Sequence, residues 1–126
     1  MNTSNAAASY NSVRNHSGLG DSSPHRLIEM LFDGLVERIT QAKGAMQYKN
    51  YELKGKKINS AIAIVSGLRE SLDKDQGGEI AENLDALYIY ITKILSQGNI
   101  ENESKYLDEA LELVGNVHEA WKQIAS

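Results

Sequence analysis

The chain has 126 residues, a net charge of −4, no cysteine and a single proline, with a pI near 5.3. That length carries one hydrophobic core, the missing thiols exclude a disulfide framework or a thiolate metal site, and the acidic balance argues against nucleic acid, which is held by cationic patches. No stretch reaches the roughly 18 apolar residues of a membrane span, and the start lacks a secretory signal's basic head and apolar run, so a cytoplasmic protein with no membrane insertion is expected.

In chain order, residues 1–22 are rich in Asn, Ser and Gly, with Tyr10, Val13 and Leu19 as the large apolar residues. Such a segment cannot bury enough surface to fold alone and reads as a flexible tail preceding a domain over 23–126. Tyr10 and Val13 stand three apart, a spacing that lets one helical turn lay both onto a groove of the main domain, forming a short capping helix. A plain disordered tail fits the same composition.

Ser23 followed by Pro24 is a helix start, because proline in the first turn needs no amide hydrogen and its φ is already helical. The first helix is expected from Pro24 to Tyr48, with Leu27, Leu31, Leu35, Ala42 and Met46 inward and Phe32 and Val36 widening the stripe. Asn50 breaks the chain, and Tyr51 to Leu72 forms a second helix with Ile58, Ala61, Ile62, Val65 and Leu72 inward. Leu68 falls at the edge of that arc, and Leu53 and Ile64 well off its centre. Asp73 to Gly78 is read as a turn, since paired glycines are costly inside a helix.

The third helix then runs from Glu79 to Gln97, its N-terminal dipole complemented by Glu79 and Glu82. Its expected inward arc is Ile80, Leu84, Leu87, Ile91 and Ile94, flanked by Tyr88 and Tyr90, with Ile89 pointing away. Gly98 is suited to a left-handed terminus and Asn102 to capping a last helix from Glu103 to Ile124, on which Leu107, Ala110, Leu111, Val114, Val117 and Trp121 recur at helical spacing. Short loops make consecutive helices antiparallel neighbours, so the expected fold is all-α, an antiparallel four-helix bundle with an N-terminal tail.

Chemistry is sparse. A di-iron bundle needs Glu-x-x-His pairs, and none of His16, His25 and His118 has a Glu three residues before it. His25 and Glu29 supply two ligands without a third, so no metal or other cofactor is expected. Glu79, Glu82 and Asp85 are explained by a solvated face and a helix N-terminus, and no enzyme is expected. A histidine phosphotransfer domain is also a four-helix bundle and would work through His118, the one mid-helix candidate. An oligomer-forming structural bundle, or weak homodimerisation, is consistent with the apolar flanks Leu53, Ile64, Leu68 and Ile89, with Phe32 and Val36 on the first helix and Leu113 and Ile124 on the fourth, which together suggest a groove.

The residues also carry a family likeness. Ser23-Pro24, Leu27, Ile28 and the run Met30 to Gly34, then Gly77 to Tyr88 with Tyr90, closely resemble the FliS family of flagellar secretion chaperones, and the likeness extends from Tyr10 to Ile124. Phe32 stands where the family often has Tyr, and Ile89 where a polar residue is common. The resemblance implies a cytoplasmic antiparallel four-helix chaperone that binds the C-terminal segment of flagellin, prevents premature polymerisation and assists delivery to the flagellar type III export gate, with other flagellar proteins as further partners. It further implies that Tyr10 and Val13 match the family's N-terminal Tyr-x-x-Val element. Partner contact is expected at Tyr10, Val13, Leu53, Ile64, Leu68, Ile89 and Tyr90.

Overall fold

The computed structural model describes residues 23–124. They form four helices, α1 (Pro24–Gln47), α2 (Tyr51–Glu70), α3 (Lys74–Glu101) and α4 (Ser104–Gln123), and no strand. Each helix packs on two neighbours, α1 on α2 and α4, α3 on α2 and α4, which closes a square. The pairs are antiparallel: His25 at the start of α1 stacks on Trp121 at the end of α4, and Arg69 near the end of α2 reaches Asp85 near the start of α3. The expected all-α bundle is the observed fold.

Local chemistry explains the corners. The Ser23 hydroxyl accepts from the Arg26 amide at 3.2 Å and Asn50 Oδ1 accepts from the Leu53 amide at 3.2 Å, each satisfying a donor that the first helical turn leaves unpaired. Lys49 turns the α1–α2 corner with φ 59, a left-handed backbone that costs a side-chain-bearing residue about 1 kcal/mol.

The α2–α3 corner departs from expectation. Lys74 to Gly77 is a helical turn capped by Asp73, whose side chain accepts from the Gln76 amide, and only Gly78 leaves the helix, at φ 53 and ψ −127. The two glycines answer different demands. Gly78 holds a backbone that side chains reject, whereas a Cβ on Gly77 would stand 2.8 Å from the Ala81 Cβ.

The other end of α3 also differs. The helix continues through Gly98 to Glu101 and ends on Asn102, in the left-handed region at φ 55, ψ 41. Glu103 then precedes α4 and makes no side-chain cap. Gly98 lies inside the helix because a Cβ there would meet the Tyr106 Cβ at 3.1 Å and Leu107 Cδ2 at 3.3 Å. It lets α4 close on α3, and Asn102 is the residue that ends the helix, as the next-best occupant of that conformation after glycine.

The core is continuous from Leu31 to Met46, Ile58 to Leu68, Tyr88 to Leu95 and Leu107 to Val114. Two buried faces are rotated from the expected ones. On α3 the buried set is Ala81, Tyr88, Ile91, Ile94 and Leu95, and Ile80, expected inward, is 73% exposed. On α2 Leu68 is fully buried beside Ile58, Ala61 and Val65, not at the edge of the arc.

Candidate partner-binding groove

The bundle closes tightly at one end and stays open at the other. At the open end the start of α1, the α2–α3 corner, the first turns of α3 and the last turns of α4 surround a groove of about 870 Å³. Its floor is the upper core, Phe32, Leu68 and Tyr88, and its walls include Ile28, Leu72, Leu84 and Val117. Ile80 and Ile124 stand exposed at its lips. The groove exists because the last core layer has side chains on all four helices and, among the described residues, no further layer packed on it.

The walls are held by directional contacts. On the α1–α4 side, the His25 and Trp121 rings stack at 4.7 Å between centroids, and the indole Nε1–H donates to the His25 carbonyl at 3.0 Å. On the α2–α3 side, Asp85 accepts from Arg69 at 2.7 Å and from Lys74 at 3.1 Å. The Arg69 hydrogen bond, helped by Lys74, holds the Asp85 carboxyl below its usual range. One carboxylate thereby ties the single turn 74–77 to both flanking helices.

The carboxylate on the groove's lining, Asp73, is engaged as a helix cap. Among the described residues no group of three metal-ligating side chains comes together. His118 is buried, with its ring stacked on Phe32 at 5.3 Å. Its Nε2 lies 3.4 Å from Asp33 Oδ1, sealed from solvent and without a hydrogen bond. A phosphoryl acceptor must be reached by its donor, so His118 lacks what the phosphotransfer reading requires.

The residues expected from sequence to meet a partner are spread over the molecule. Leu68 is on the groove floor. Leu53 is exposed, fifteen residues earlier on α2, roughly 22 Å along the helix axis. Ile64 is half-buried on the α1 side, where its Cδ1 lies 3.6 Å from a Cβ built on Gly34. Ile89 and Tyr90 are exposed on α3, and the Tyr90 hydroxyl donates to Glu109 on α4 at 2.6 Å, which pushes its pKa up. Tyr10 and Val13 lie outside the described residues.

Ile80 and Trp121 were not anticipated as lining residues, whereas Phe32 and Ile124, read as apolar flanks of a groove, do line it. The signal was present in part: Ile80 stands two residues after the Gly77-Gly78 break, and an apolar residue in the first turn of a helix has fewer neighbours above it than one deeper in the bundle.

The family model described as "Flagellar protein FliS" matches residues 6–126. The flagellar secretion chaperone FliSB of Pseudomonas aeruginosa is 42% identical over 95% of this chain and 95% of its own length. The flagellar secretion chaperone FliS of Salmonella typhimurium is 39% identical over 99% of this chain and 93% of its own length. That of Vibrio cholerae is 38% identical over 91% of this chain and 85% of its own length.

Proposed function

This chain belongs to the FliS family of flagellar proteins, whose role is that of a secretion chaperone, and we propose that its client is the C-terminal segment of flagellin, which it keeps from polymerising in the cytoplasm and helps deliver to the flagellar export gate. The observation that carries this reading is the open apolar groove with Ile80 and Ile124 at its lips and no converging polar set. A segment that is disordered alone and amphipathic when helical is recognised by apolar length, not by a polar pocket.

Binding on this reading is coupled to folding. The client forms helical turns as it covers carbon surface, and each large aliphatic side chain moved fully from water contributes about 1.5–3 kcal/mol, against the ordering cost of the client. The spread of Leu53, Ile64, Ile89 and Tyr90 over α2 and α3 supports a client that wraps the bundle from the groove outward. The N-terminal segment is the groove's occupant when no client is present: Tyr10 and Val13 cover it and leave on binding. The tail joins the bundle at Pro24, itself a lining residue, so its reach is sufficient. Bound tail reduces client affinity by the covered fraction.

Calorimetry against a flagellin C-terminal peptide and a scrambled control, with circular dichroism of the peptide, tests the reading. A one-to-one complex with a negative heat-capacity change and gained helicity is expected. No heat with the true peptide, or equal heat with the scrambled one, would sink the client assignment. Deleting residues 1–22 is expected to strengthen client binding or leave it unchanged. Weaker binding would make the tail part of the site.

A further inference from the structure

The closed end of the bundle carries exposed apolar side chains for which the proposed function has no use. Tyr48 is 88% exposed, Tyr51 47% and Ile100 81%. They come from two corners distant in sequence, the α1–α2 corner and the end of α3. A buried ammonium locks the corners together: Lys54, in the first turn of α2, donates through Nζ to the Asn99 carbonyl at 2.8 Å and to Asn102 Oδ1, and lies 5.3 Å from the Tyr51 ring centroid. The two corners are therefore one preorganised surface.

Lys49 is the second observation. It adopts φ 59, where glycine would relieve the strain, and among the described residues its side chain makes no ion pair or hydrogen bond. Asn102 shares that backbone region, but its side chain has the Lys54 bond to make. The strained turn therefore presents a free cation between Tyr48 and Tyr51.

Charge points the same way. Residues 43–57 carry Lys43, Lys49, Lys54, Lys56 and Lys57 against the one acid Glu52, whereas residues 73–85 at the groove end carry five acids against Lys74. Lys43 is paired with Asp108 and Lys56 weakly with Glu52 at 3.7 Å. On the α3–α4 side Lys105 lies 5.2 Å from the Tyr106 ring centroid, near Glu101 and Glu103. The surface is thus modestly cationic and aromatic in a chain that is acidic overall, too weakly charged for a polyphosphate backbone and suited to a few carboxylates around an apolar anchor.

We propose that this end is a second docking surface, for an acidic protein segment with an aliphatic or aromatic anchor. The anchor seats among Tyr48, Tyr51 and Ile100, and flanking carboxylates meet Lys49 and Lys105. The 20-residue α2 separates this surface from the groove by about 30 Å, so an acidic partner here leaves the groove itself open to a client, the two meeting only at Leu53.

The test is a titration of the full isotope-labelled chain with a short synthetic Asp/Glu peptide bearing a central Phe-Leu pair, alongside the same peptide with every acid replaced by Lys. Amide shifts confined to residues 48–57 and 99–106, weakening with salt and absent for the basic control, are expected. Lys49→Gly keeps the turn and relieves its backbone, so its melting temperature should hold or rise while affinity for the acidic peptide falls about five-fold; Tyr48→Ala should weaken it further. Shifts at the groove end, no shifts, equal binding of the basic peptide or full affinity in Lys49→Gly each overturn the proposal. So does sedimentation showing a dimer that Tyr48→Ala abolishes, which would reassign the surface to a second copy, or a preference for phosphatidylserine vesicles over the peptide.

Discussion

The two ends of this bundle are built from the same helices and finish differently. At the closed end Gly98 lets α4 approach α3 to within van der Waals distance, and Lys54 ties the α1–α2 and α3–α4 corners through one ammonium. At the open end Gly78 redirects the chain, and Ile80, Leu84, Val117 and Ile124 line a groove in place of a sealed layer. The comparison teaches that glycine acts in opposite ways according to where it stands. Inside a helix at a contact it brings backbones together; at a helix start it turns the first helical turn aside and leaves the layer beneath uncovered.

Substitutions at either end separate the two cases. The largest effect is expected for Gly98→Leu, whose side chain has no room beside Tyr106 and Leu107; a loss of about 3 kcal/mol, read as a melting temperature lowered by about 10 °C or more, is the expected outcome. Next is Lys54→Met, which keeps the apolar stem but leaves the Asn99 carbonyl and the Asn102 amide oxygen without their donor. Urea unfolding should show about 2 kcal/mol lost. If stability is unchanged, Lys54 does not brace the closed end.

At the open end the balance reverses. Ile80→Asp alters a side chain that is mostly in solvent, so stability should stay within about 0.5 kcal/mol while affinity for a flagellin C-terminal peptide falls at least about ten-fold. Unimpaired binding would remove Ile80 from the client groove. The smallest effect belongs to Asp85. Its carboxyl is held below the ordinary aspartate value of 3.8 in the folded chain, chiefly through the Arg69 hydrogen bond. The stabilisation it brings is therefore fully present above the unfolded value and is lost as pH falls through the folded one. Asp85→Asn should lower the melting temperature slightly at neutral pH, converge with the parent below about pH 4 and so flatten the acid limb; an acid limb as steep as the parent's would show that the Arg69 contact is not populated in solution.

Much of the architecture was legible along the chain. Ser23-Pro24 marked the start of α1, Asn50 that of α2, and the Gly77-Gly78 pair the break before the long part of α3, because each is a local event between residues a few positions apart. The candidate site was less legible. Of the five described residues expected to meet a partner, Leu68 alone lines the groove, and it does so from the floor. Ile80 was assigned to the core from a periodicity that holds all along α3, yet it is 73% exposed, because no other described helix packs above its first turn.

What the sequence determined by itself was the number of helices, most of their starts and the class of fold, since apolar periodicity and capping chemistry act within one or two turns. Which slice of each apolar arc became core, Tyr88 instead of Ile80 and Leu68 instead of the rim, was decided only when the helices met. So was the role of Gly98, a close contact and not a terminus, and that of Lys54, a buried brace and not a solvated charge. A helical pattern specifies a face only to within the width of its stripe. The neighbours available at each height in the bundle decide which of those residues are covered, and at the open end none of the described helices covers the last layer.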